Sequence, residues 1–229
     1  MRLSDLAARY RLPPSAGDQL DRLLAALAAE PDPQTSIPPE QWPEAHVADS
    51  LAGLEVEALR AATGIADLGA GAGFPGLPLA IALPDARVDL IEASRRKAAL
   101  IERLARAGSI GNAKVVPARA EDWARGDGRG TYDAVCARAV GPLAVLVEYA
   151  APLLSLDGVL VAWKGAPDAE EERSGARAAA EVGLEPAGIR YVEPYPGSRQ
   201  RHLHLYRKVR ETADRFPRRT GVAAKRPLG

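Results

Sequence analysis

Between residues 67 and 76 the chain reads Asp-Leu-Gly-Ala-Gly-Ala-Gly-Phe-Pro-Gly, four glycines in ten residues set between a short apolar run and a helix-length apolar segment. Glycines in such a turn let a strand swing sharply into a helix and let a ligand come against bare backbone. After Gly64 the chain keeps alternating short apolar runs with helix-length segments, the pattern of a parallel sheet covered by helices. Strands are expected at 65–68, 88–91, 114–116, 132–137, 159–163, 188–192 and 203–207, with helices at 75–83, 95–107, 143–154 and 169–182. Only a turn, Pro196-Gly197-Ser198, joins the last two strands, so they form a hairpin and the last strand runs antiparallel to its neighbour. The expected class is α/β.

Ahead of the sheet, Leu20, Leu23, Leu24 and Leu27 recur at helical spacing behind Ser15, which reads as an N-cap for a helix over 16–29. Five prolines between 31 and 43 break that helix, and helical periodicity returns over 45–60. We therefore expect a helical extension and proline-rich connector (1–43), a main domain (44–209) and a basic tail (210–229). At 229 residues the chain is long enough for one large domain. No apolar run reaches the length of a membrane helix, the first five residues lack a secretory core, and the lone Cys136 makes no internal disulfide, so a cytoplasmic protein is expected.

The formal net charge of zero hides an asymmetry. Residues 190–229 carry eleven basic side chains against three acidic ones, a local balance of +8 that leaves −8 on residues 1–189. A basic end on an acidic body suits a polyanionic partner, and the segment from Arg210 onward is expected to act as an RNA-binding arm. The other possibility is that Phe216-Pro217 packs back onto the sheet.

Glycine spacing alone leaves two cofactors open. Gly71-x-Gly73-x-x-Gly76 fits a dinucleotide fingerprint, and Glu92 lies 21 residues beyond Gly71, where a ribose-binding acid would sit. Asp67 tips the reading: a pyrophosphate here would meet a carboxylate at the strand end, whereas S-adenosylmethionine brings a sulfonium, an ammonium and no phosphate. Asp67, Gly69, Gly71, Gly73 and Glu92 are therefore candidates for holding the methyl donor. Past the third strand, Ala120 and Glu121 offer an amide and a carboxylate for an adenine edge, or else form a short polar turn. Arg138, Lys164 and Arg201 all fall at strand ends and are candidates for positioning a substrate. Cys136 within an apolar strand reads as core, and His46, His202 and His204 show no metal-ligand spacing, so no metal is expected.

Taken together, the motif at 67–81, Ala-Arg-Ala-Glu at 118–121, Ala-Arg-Ala-Val at 137–140, Trp-Lys-Gly at 163–165, Arg-His-Leu at 201–203 and Phe-Pro-Arg-Arg-Thr-Gly at 216–221 resemble the ribosomal small-subunit RNA guanine-N(7) methyltransferase family, also called the glucose-inhibited division protein B family. His46-x-x-Asp49-Ser50 matches the family's His-x-x-Asp-Ser segment, although Ala45 stands where an Arg is typical. The resemblance implies a seven-stranded class I (Rossmann-like) methyltransferase fold with S-adenosylmethionine as donor. It also implies a single guanine in the decoding region of 16S ribosomal RNA, in naked RNA or the small subunit, as target. Donor contacts would fall on Gly69, Phe74, Ala120, Glu121 and Arg138. The guanine nitrogen attacked carries a lone pair and no proton, so no general base is needed. Two rival readings are an NAD(P)-dependent Rossmann oxidoreductase and a non-catalytic, RNA-binding ribosome-assembly factor with a vestigial cofactor loop.

Overall fold

The computed structural model describes residues 2–198 and 200–229. Seven strands, β1 (Gly64–Leu68), β2 (Arg87–Ile91), β3 (Ala113–Val116), β4 (Tyr132–Arg138), β5 (Leu154–Lys164), β6 (Leu184–Val192) and β7 (Arg201–Lys208), form one sheet in the order β3-β2-β1-β4-β5-β7-β6. The first five are mutually parallel, while β7 lies antiparallel between β5 and β6. The order reverses at β1, so the carboxyl ends of β1 and β4 flank a crevice where open α/β sheets take ligands.

Side chains alternate across the central strands. Along β4 and β5, Ala134, Cys136, Val159, Val161 and Trp163 enter one core, whereas Val135, Ala137, Leu160 and Ala162 enter the other. The first core is covered by α1 (Leu3–Tyr10), α2 (Ala16–Ala29), α5 (Gly76–Ala82) and α6 (Arg95–Ala107). The second is covered by α7 (Ala120–Arg125), α8 (Leu143–Ala150) and α9 (Ala169–Val182). On α2, Leu20, Leu23 and Leu27 are fully buried on the sheet side of the layer, so the extension over 1–43 shares the main core. Deleting one of these side chains as Leu23→Ala is expected to cost about 2–5 kcal/mol in chemical denaturation. A smaller loss would mean that α2 sits on the domain as a loose appendage.

Several local expectations are corrected. Ser15 does not cap α2: its backbone is already helical, and its hydroxyl donates to Gln19. The periodic stretch 45–60 is a broken series, a π-helical turn at Pro43–Ala48, α3 (Asp49–Leu51), a 3-10 turn at Ala52–Glu55 and α4 (Glu57–Arg60). The helix expected to run to residue 154 stops at Ala150, because Leu154 pairs with Tyr132 and starts β5 early. Strand β6 also starts early, at Leu184. Its Pro186 is accommodated beside a register shift on an edge strand, where no ladder donor is required. No described helix is long and apolar enough to cross a membrane.

The basic tail folds back on the domain. Phe216 is buried in the second core, and Arg218 lies against the fully buried Glu148 of α8. A last helical turn, α10 (Val222–Lys225), follows Gly221.

Candidate active site

Two hollows open side by side above the carboxyl ends of the strands, divided by the turn that carries β4 into α8. One, of about 150 Å³, lies between Gly69, Glu92, Ala120, Glu121, Tyr149 and Val140. The other, of about 250 Å³, lies between Asp49, Arg138, Gly141, Trp163, Lys164 and Arg201. Ala139 in the dividing turn has φ 58°, a left-handed conformation that drives Val140 over the glycine loop and turns Arg138 the other way.

The first hollow is built by the glycine loop. Gly69 has φ 63°, and a Cβ placed there would come within 3.0 Å of the Val140 side chain. Glu92, at the end of β2, holds the loop from below: one oxygen accepts from the Gly71 amide at 2.9 Å and the other from the Ser94 amide at 2.8 Å. Asp67 accepts from the Gly76 amide at 2.8 Å through Oδ2, while Oδ1 is buried with no partner. Burial lifts its carboxyl to about 7, against the opposing pull of the Gly76 bond and the Arg138 charge. Gly73 serves a different purpose, since a Cβ there would press into Leu77 and toward Ile101 in the core. Gly69→Val would combine a forbidden backbone conformation with a branched group against Val140. Donor affinity measured by calorimetry is expected to fall below detection while the far-ultraviolet dichroism is retained, and an unchanged affinity would move the donor away from this loop.

Asp49 is the hub of the second hollow. Its Oδ2 accepts from Arg138 Nη1 at 2.8 Å, and its Oδ1 lies 3.5 Å from Arg201 Nε. Its main-chain oxygen accepts from the Trp163 indole at 2.8 Å. Arg138 also donates to the Ala45 carbonyl at 3.0 Å and lies 3.2 Å from His46 Nδ1. The His46 ring stacks on Phe74 with centroids 4.4 Å apart, and its Nε2 lies 2.9 Å from the Thr35 hydroxyl. Burial and the neighbouring Arg138 charge hold His46 down at about 4, so it is neutral at physiological pH and serves as a spacer for the guanidinium. Phe74, although it belongs to the glycine loop, thus packs its ring against His46 and beneath the Arg138 guanidinium, which lies 5.9 Å from the ring centre.

The structure brings Arg138, Lys164 and Arg201 around one hollow, with unequal freedom. Lys164 is tied down, donating to Glu171 Oε1 at 2.5 Å and to the Gly141 carbonyl at 3.3 Å, so it braces the dividing turn. Residues 120–125 form helix α7 in place of the short turn, and Glu121 is buried there. Cys136 is fully enclosed and its thiol is raised well above the usual range by burial and by Asp67, which leaves it inert. Sequence reasoning gave no role to Asp49 or Tyr149. The His-x-x-Asp-Ser match pointed at Asp49, whereas Tyr149 lies in an apolar helix and carried no signal.

One contact decides between the two cofactors. In a dinucleotide site the amide at the start of the helix after the glycine loop faces pyrophosphate, but here the Gly76 amide is already taken by the Asp67 carboxylate. A family model described as rRNA small subunit methyltransferase G matches residues 36–203. The chain belongs to that family. The ribosomal RNA small subunit methyltransferase G of Rubrobacter xylanophilus is 45% identical over 187 residues, covering 80% of this chain and 72% of that protein. Its counterpart in Pelotomaculum thermopropionicum is 43% identical over 187 residues, covering 80% and 77%. Among solved structures, the Methanococcus jannaschii fibrillarin pre-rRNA processing protein matches with a TM-score of 0.55 at 17% identity, covering 71% of this chain and 74% of that one. A mutant of MtNAS in complex with S-adenosylmethionine matches with a TM-score of 0.57 at 14% identity, covering 84% and 72%. The fold of this methyltransferase G family member is accordingly the seven-stranded class I methyltransferase fold expected from its motifs.

Proposed function

We propose that this methyltransferase G family member moves a methyl group from S-adenosylmethionine to N7 of one guanine in the decoding region of 16S ribosomal RNA, acting in the cytoplasm. The observation that carries the reading is the pair of hollows meeting at the turn 138–141, one lined by carboxylates and one by guanidinium groups. The residues present fit the donor. Asp67 keeps a buried, unpartnered oxygen beside the loop, suited to a cationic methionine moiety, and Glu92 at the end of β2 stands where ribose hydroxyls would approach. Gly69 leaves backbone bare for close approach, and Ala120 and Glu121 close the adenosine end.

S-adenosylmethionine, when bound, supplies an electrophilic methyl on a sulfonium. The chain's task is to bring a neutral ring nitrogen in line with that methyl and keep water away. Guanine N7 needs no proton removed, which agrees with a site whose histidine is neutral and whose one thiol is sealed in the core. Arg138 and Arg201, held by the shared Asp49, present cationic donors toward the second hollow, where O6 and N7 of a guanine or a flanking phosphate would be received. A base reaches a hollow this size only when extruded or single-stranded. The dinucleotide reading is disfavoured by the occupied Gly76 amide, and the assembly-factor reading leaves the paired hollows without a purpose.

Incubation with labelled S-adenosylmethionine and small subunits that lack the modification, followed by nuclease digestion and mass spectrometry, is expected to yield 7-methylguanosine at one position. Methyl on another atom, or none transferred, would overturn the reading. Arg138→Lys keeps a cation beside Asp49 but loses the fork to Ala45 and His46. It is expected to lower kcat/KM for the RNA at least tenfold, about 1.4 kcal/mol of barrier, with the fold intact. Full activity in that variant would make Arg138 a packing residue.

A further inference from the structure

The tail meets the donor side of the cleft through one carboxylate, and we infer that it holds the adenosine end of that site in shape, with Gly221 as a positioning residue acting through Glu121. The inference rests on the donor site proposed above and adds to it a part that is distant in sequence. Glu121 is buried in the wall of the smaller hollow. Its Oε1 accepts from the Gly221 amide at 2.7 Å, and the Tyr149 hydroxyl of the same wall also bonds to it. A buried carboxylate keeps its place only when its lone pairs are met, so the two donors fix where Glu121 stands.

Gly221 is aimed at Glu121 by the residues before it. Arg218 grips Glu148 with three side-chain bonds of 2.6 to 3.1 Å, and its own amide donates to Glu148 Oε1 at 3.1 Å. The Thr220 hydroxyl donates to Asp122 at 2.7 Å, and Arg125 reaches back to the Arg218 carbonyl at 2.7 Å. Helices α7 and α8, which supply Glu121 and Tyr149, are thereby tied together by the tail. Gly221 has φ 80° with open space where a Cβ would be, so glycine is wanted there for backbone conformation. Arg218 of the tail has its acidic partner, Glu148, within this chain, so its guanidinium is not free to reach for phosphate.

The test uses full-length variants and S-adenosylhomocysteine as probe. Gly221→Pro removes the N–H that Glu121 accepts from and is expected to weaken calorimetric affinity at least tenfold. Donor KM should rise in step, with kcat at saturating donor and affinity for ribosomal RNA unchanged. Gly221→Ala retains the N–H but strains the backbone at φ 80°, so it should recover part of the affinity that Gly221→Pro loses. In a Glu121→Ala background, itself weakened, Gly221→Pro should have no further effect. Should Gly221→Pro fail to fold, Thr220→Val, which loses only the bond to Asp122, is expected to weaken the donor two- to threefold. Unchanged donor affinity in the tail variants beside a weakened Glu121→Ala overturns the inference and leaves the donor site standing. Lost RNA affinity with donor affinity intact overturns it in favour of an RNA-binding tail. No effect from Glu121→Ala overturns the adenosine-end assignment, and this inference with it.

Discussion

Asp67→Asn is expected to make the ligand-free protein more stable and the donor complex weaker, with both effects depending on pH. The Asp67 carboxyl titrates near 7 in the fold and near 4 in the unfolded chain, so between those values the native state holds a proton that the unfolded state has released. Stability therefore falls as pH rises from about 4 to about 7 and then levels off, because above pH 7 the fold carries a buried charge. A gap of about three pH units corresponds to a few kcal/mol, roughly 2–4 after allowing for relaxation around the carboxylate. Asparagine can still accept from the Gly76 amide and has no charge to bury, so its gain in melting temperature over the native protein should be small at pH 5 and largest at pH 8. A cationic donor reverses the preference. It favours the ionised carboxylate, so native affinity for S-adenosylmethionine should climb between pH 6 and 8, and the variant should show a flat, weaker profile. A native affinity that ignores pH would remove Asp67 from the donor's charge balance.

The second large effect is on the fold. Arg218→Ala strips the partner from Glu148, whose side chain is almost wholly enclosed, and an uncompensated buried charge of that kind costs about 3–5 kcal/mol. Denaturation at neutral pH should show that loss. Combining Arg218→Met with Glu148→Met, which removes both charges and keeps the volume, should recover most of it. A loss under 1 kcal/mol in the single variant would mark the pair as a solvated surface bridge.

The sheet was largely readable from sequence because its signal is local: alternating apolar runs, a glycine loop and a short hairpin turn. Errors gathered where tertiary pairing overrides the local pattern. Leu154 looks helical until Tyr132 is found beside it, and Ser15 looks like a cap until the chain enters α2 already helical. The glycine loop and Glu92 announced themselves by type and spacing. Arg138 was noticed for being out of place in an apolar strand, but its fork to Asp49, Ala45 and His46 spans about ninety positions and leaves no mark on spacing. The packing of the tail was hidden for a related reason. Net charge counts cations without knowing their partners, and Glu148 lies 70 residues away in a run of aliphatic residues.

That separation also bears on how the protein is made. Glu148 leaves the ribosome 70 residues ahead of Arg218, at about 5–20 residues per second, so for several seconds α8 exists with an acidic group that its own core cannot accept. Over that interval α8 cannot settle permanently against the sheet, and the wall carrying Tyr149 and Glu121 waits with it. The wall formed by Glu121 and Tyr149 is therefore completed late in translation, once the Phe216–Gly221 segment has emerged and closed over its helices.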